Sequence, residues 1–131
     1  MDENDERAVQ EFNELQDKVM MQAELHHKVQ QQERMLGVQR QRCSLTKQEL
    51  QNMPDQTTMY KSIGRAYFCS PKAEVLKELD EKAAQIDADS KSLREQRDTV
   101  EKKMKDTEAQ LRELLGQSPA LVRRLGAVKI Q

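Results

Sequence analysis

Two adjacent histidines, His26-His27, and two cysteines, Cys43 and Cys69, are the residues of this 131-residue chain best suited to hold a metal or act as nucleophiles. Their spacing argues against both roles. Consecutive helical residues do not share a face, so a site at His26 and His27 would need further ligands that the sequence does not show. Neither cysteine stands in a C-x-x-C pair, and two isolated cysteines make no disulfide framework, so both read as packed, reduced thiols. Carboxylates are plentiful, but on exposed helix faces they are solvated charges rather than a tuned acid and base pair. There is no glycine-rich phosphate loop, no H-E-x-x-H and no recognisable nucleophile setting. The sequence therefore predicts neither an enzyme nor a metal or cofactor site.

The composition calls for long helices instead. With 34% charged residues, 3% aromatic residues and no tryptophan, the chain is too poor in bulk for an ordinary rounded core and suits helices that bury narrow stripes. The length leaves room for a single domain, 1–131. A formal net charge of -1 excludes a generally basic nucleic-acid binder. The ends differ in sign, with Asp2, Glu3, Asp5, Glu6, Glu11 and Glu14 at the start and Arg112, Arg123, Arg124 and Lys129 at the finish. This reads as attraction between neighbouring helix ends rather than a partner site. No stretch approaches the roughly 20 apolar residues of a membrane span, and the acidic start does not resemble a secretory signal, so a cytosolic or nuclear protein is the default, with the cytoplasm as the expected location.

Two heptad stripes organise the chain. Over 8–43, Phe12, Leu15, Val19, Gln22, His26, Val29, Glu33, Leu36, Arg40 and Cys43 fall on one seam, apolar but interrupted. Over 70–116 the stripe is stronger: Leu76, Leu79, Ala83, Ile86, Ser90, Leu93, Arg97, Val100, Met104, Thr107, Leu111 and Leu114. Ser70 and Pro71 suit the start of this second helix, and Ser118-Pro119 opposes its continuation past Gly116. Thr46-Lys47-Gln48-Glu49 has the form of a capping box, which predicts a separate short helix over 46–53, stopped by Pro54. The tail, 117–131, receives no role.

Between the helices the pattern changes. Thr57-Thr58-Met59-Tyr60 and Ala66-Tyr67-Phe68-Cys69 are rich in aromatic and β-branched residues and flank Gly64-Arg65, a two-residue turn, so 57–69 is predicted to be a β-hairpin. That turn sets Ile63 opposite Ala66, Lys61 opposite Phe68, Ser62 opposite Tyr67 and Tyr60 opposite Cys69. Both sides of the ribbon then carry hydrophobic residues. A lone two-stranded ribbon is marginal in water, so it must be completed by strands of other subunits. Met59, Tyr60, Ile63, Gly64, Tyr67 and Phe68 are the candidate assembly residues.

The run Met59-Tyr60-Lys61-Ser62-Ile63-Gly64-Arg65-Ala66-Tyr67-Phe68, set between two coiled-coil helices, resembles the β-type subunits of the prefoldin family, and the likeness covers roughly 8–116. It implies a mostly α fold: a long antiparallel coiled-coil helix hairpin with one β-hairpin inserted, which contributes to a β-barrel shared between subunits. It further implies a hetero-hexamer of two α-type and four β-type subunits. Such a complex holds unfolded proteins, notably actin and tubulin, without ATP and passes them to the cytosolic chaperonin. Client contact is then expected at the helix ends, through Val9, Phe12 and Leu15 on one side and Met104, Leu111, Leu114 and Leu115 on the other. No nucleic-acid or membrane partner is implied. The rival reading is a coiled-coil scaffold that tethers folded partners, which would have no use for a strand ribbon.

Overall fold

The computed structural model describes the backbone of residues 3–130 and the side chains of residues 3–124. Helix α1 spans Glu3–Gln51 and is followed by strands β1, Met59–Ile63, and β2, Ala66–Ser70. Helices α2, Lys72–Gln117, and α3, Pro119–Ile130, complete the chain. All ten seam positions of α1 and all twelve of α2 are buried or half-buried, while most of their neighbours are exposed. This is the signature of a heptad stripe facing a partner helix.

Helix α1 begins earlier and ends later than its seam suggests. Glu3, Asp5 and Glu6 occupy its first turn, where carboxylates complement the positive end of the helix dipole. The separate short helix expected over 46–53 does not exist, because α1 runs through it to Gln51. To cap a new helix Thr46 would have to leave helical dihedrals. No proline or glycine between Cys43 and Thr46 forces it to, and seam contacts hold this part in line: Cys43 is buried, and the Lys47 ammonium reaches Asp80 of α2.

The hairpin has the register that its turn dictates: Ile63 pairs with Ala66, Ser62 with Tyr67, Lys61 with Phe68, Tyr60 with Cys69 and Met59 with Ser70. Gly64 has φ of 62°, whereas no other residue type among those described takes positive φ. Positive φ at the first central position alone marks a type II′ turn, whose twist matches the flanking strands and which favours glycine there.

Contacts divide the chain into two units. One is Gln31–Glu95, comprising the end of α1, the hairpin and the beginning of α2. Here charged rungs set an antiparallel register. Arg40 Nε donates to Asp87 Oδ1 at 2.9 Å, and seven residues on in α1 and seven back in α2 Lys47 pairs with Asp80. Lys61 of β1 bonds Glu78 of α2, tying the ribbon to the helix. Lys72 closes the loop between α1 and β1: its Nζ donates to the Gln51 carbonyl at 3.3 Å, to the Met53 carbonyl at 2.8 Å and to Asp55 Oδ1 at 3.1 Å. The last carbonyls of a helix lack intrahelical donors, and this ammonium supplies one. Replacing Lys72 with Met keeps the stem but orphans those acceptors. A loss of about 1.5–3 kcal/mol in urea unfolding is expected, from charge-assisted bonds made by a side chain largely shielded from water. Unchanged stability would show that the clamp is idle.

The other unit is Met1–Gln30 with Gln96–Gln131. Val29, Val100 and Thr107 are buried on its seam. Thr107 is the most deeply buried of them, and its hydroxyl donates to the Lys103 carbonyl at 2.9 Å, which satisfies a polar group at an apolar position. His26 Nε2 lies 3.1 Å from Glu101 Oε1. That hydrogen bond holds the Glu101 carboxyl below its usual range, with the Arg97 charge acting in the same direction and partial burial opposing both. A carboxylate with a lowered pKa contributes stability above the ordinary carboxylate range, and the contribution is lost as pH falls through the lowered value. In a His26→Leu chain, the Glu101 carboxyl should titrate at higher pH when followed by carbon-13 NMR. An unmoved titration would assign the shift to another group.

Candidate functional site

The ribbon presents a set of large apolar groups to solvent. Tyr60 is 66% and Tyr67 74% exposed, and Ile63 and Phe68 are each more than half exposed. Strand alternation puts Tyr60, Ser62, Tyr67 and Cys69 on one side and Lys61, Ile63, Ala66 and Phe68 on the other. Cys69, expected to be packed, is instead an exposed free thiol among them, whereas Cys43 is buried as expected. Each strand has one partner in a two-stranded sheet, so among the described residues the outer backbone edge of each faces no other strand. Met59 departs from the rest. It is buried within its own chain, at 7% exposure. Gly64 contributes the turn, with open space around the position of a Cβ.

The helix-end residues occupy the other unit. Phe12, Leu15 and Leu114 form a buried cluster, with Val9, Leu111 and Leu115 packed around it. Met104 is half-buried further along α2. In the folded chain the apolar surface of these positions is largely covered. The cover includes Leu121 of α3, the most buried member of the cluster at 3% exposure. Sequence reasoning passed over Leu121 because it read Ser118-Pro119 only as the end of α2. The pair also opens a helix: the Val122 amide bonds the Ser118 carbonyl at 3.3 Å, and Pro119 sits at the first helical position.

Other apolar residues that the sequence reading did not single out are exposed on α1: Met20, Met21 and Leu25 in one unit, Met35, Val38 and Leu45 in the other. Their signal is legible in retrospect, since all lie off the seam. In the second unit Met35 and Leu36 join Leu93 of α2 around an open groove of about 350 Å³. Among the described residues no group of His, Cys, Asp or Glu is placed to hold a metal, and no helix is long and apolar enough to cross a membrane.

The family model for a prefoldin subunit matches residues 6–118. Prefoldin subunit 1 of Arabidopsis thaliana is 36% identical over 97 residues, covering 74% of this chain and 76% of the relative. Prefoldin subunit beta of Methanothrix thermoacetophila is 31% identical over 98 residues, covering 70% of this chain and 82% of the relative. The crystal structure of the prefoldin beta subunit from Thermococcus strain KS-1 superposes with a TM-score of 0.75 over 80% of this chain and 92% of its own, at 20% identity, a likeness of fold.

Proposed function

This chain belongs to the prefoldin family as a subunit of the β type, and from that premise we propose that it serves in a hexameric, ATP-independent holdase of two α-type and four β-type subunits. Prefoldin subunits are chaperones rather than enzymes and assemble with one another. The finer reading is that this chain's ribbon joins a shared β-barrel in the cytoplasm. Its helix ends then contact unfolded chains of the actin and tubulin class before transfer to the cytosolic chaperonin.

The observation that carries the reading is the ribbon itself: Tyr60, Ile63, Tyr67 and Phe68 lie exposed on both sides of a sheet whose outer edges are open. A hydrophobic two-stranded sheet of this kind gains stability only when further strands cover it. A tether between folded partners would need no such ribbon. At the helix ends, Val9, Phe12, Leu15, Met104, Leu111, Leu114 and Leu115 supply leucine, methionine and phenylalanine, which adapt to varied apolar partners. Several weak contacts of this kind around one cavity hold a client by avidity.

The test is to co-express the chain with sister prefoldin subunits, isolate the complex and dilute reduced, unfolded α-lactalbumin into it without nucleotide. The protein should stay soluble. Assembly without any suppression of aggregation, together with tight binding of one folded partner, would replace the holdase with a tether.

A further inference from the structure

We propose that α3 is a resident occupant of the apolar helix-end cluster, and that an apolar segment of an unfolded chain binds there by displacing it. The inference rests on the client-holding reading above and adds a regulation of that same site. The cluster is a groove built from two helices, Phe12 and Leu15 on α1 and Leu114 on α2, and Leu121 of α3 fills it. The helix turns its apolar residue inward: Leu121 is 3% exposed, whereas Val122 next to it is 48% exposed and Arg123 and Arg124 face solvent. The groove thus accepts a short amphipathic segment that delivers a leucine, the chemistry an unfolded polypeptide offers at many points along its length.

The attachment is suited to exchange. Ser118 alone separates α2 from α3, and its amide still bonds the Leu114 carbonyl at 3.2 Å, so the plug stays beside its groove at high effective concentration. Yet α3 has 12 residues, a length at which a helix in water is marginal without packing, and Leu121 is its described member of the buried cluster. Removing Leu121 from the groove takes away the described hold on the helix and uncovers Phe12, Leu15 and Leu114 together.

The experiment compares complexes reconstituted with the parent chain, Leu121→Asp, Val122→Asp and a chain shortened after Gln117. Two quantities are read: capture of reduced, unfolded α-lactalbumin, and amide hydrogen exchange over residues 8–15 and 111–115. Leu121→Asp and the shortened chain should both speed exchange and tighten capture by roughly tenfold or more, the factor set by burial of one leucine. Val122→Asp adds the same charge to the exposed side of α3 and should change neither. The proposal is overturned by unchanged exchange, by faster exchange with unchanged or weaker capture, or by equal effects of the two aspartates. Absence of capture in every complex, the parent included, sinks the holdase reading and the inference with it. Capture by the parent that Leu121→Asp leaves untouched sinks the inference alone.

Discussion

A chain carrying Ile63→Asp and Phe68→Asp is expected to be missing from the assembled complex altogether, running alone on size exclusion while its sister subunits assemble without it or not at all. Both positions lie on one side of the ribbon, Ile63 beside the turn and Phe68 two residues past its partner Ala66, and both are more than half exposed in the isolated chain. Nothing in the chain's own packing therefore opposes the substitutions, and its helix content should be unchanged by circular dichroism. The cost falls on assembly. Burying an Ile or Phe side chain is worth about 1.5–3 kcal/mol, and each aspartate replaces that gain with a desolvated, unpaired carboxylate that costs several kcal/mol more. Two such sites change the association constant by many powers of ten. A complex of unaltered mass in native mass spectrometry would show that the ribbon is not the joint.

The second large effect concerns Phe12. Phe12→Ala should lower the stability of the unit formed by Met1–Gln30 and Gln96–Gln131 by about 3 kcal/mol, because a buried aromatic leaves both lost apolar contact and a cavity. Met20→Ala, on the same helix, should stay within about 0.5 kcal/mol. The two side chains are comparable in hydrophobicity and separated by eight positions, but Phe12 is 8% exposed and Met20 71%. Urea unfolding of the two variants beside the parent chain measures the contrast. Equal losses would mean that the helix-end cluster contributes no more than an exposed side chain, and the groove that Leu121 fills would then have no structural basis.

Much of this arrangement was legible residue by residue. The heptad frame placed Ile86, Val100 and Leu114 on the buried stripe, and it placed Thr107 there as well, although a threonine is a poor guess for a core position. Periodicity succeeded because it reports geometry that repeats along the chain, whatever the side chain. The strand register was equally readable, since a two-residue turn with glycine at its first position leaves one pairing available. Local signals misled where they were consulted alone. Thr46-Lys47-Gln48-Glu49 has the residues of a capping box, but it lies inside a helix held by Cys43 and by Lys47 on Asp80. Ser-Pro occurs at 70–71 and at 118–119, and its local setting suggests a helix start in the first place and a stop in the second. Both pairs precede helices. At 71 the Pro71 carbonyl takes the amides of Glu74 and Val75 at 3.1 Å, which sets the helix one residue later than a Ser70 cap implies.

By itself the sequence determined the family, the order of helix, hairpin and helix, the stripe each helix buries and the register of the ribbon. These depend on dihedral preferences and on spacings of a few residues, which neighbouring side chains decide among themselves. Tertiary structure decided which apolar residues are already satisfied and which remain open. Met59 is enclosed while Tyr60 beside it faces solvent, and Phe12, Leu15 and Leu114 are covered by Leu121 from a tail to which the sequence assigned nothing. Burial depends on where distant parts of the chain come to lie, and no local pattern records that.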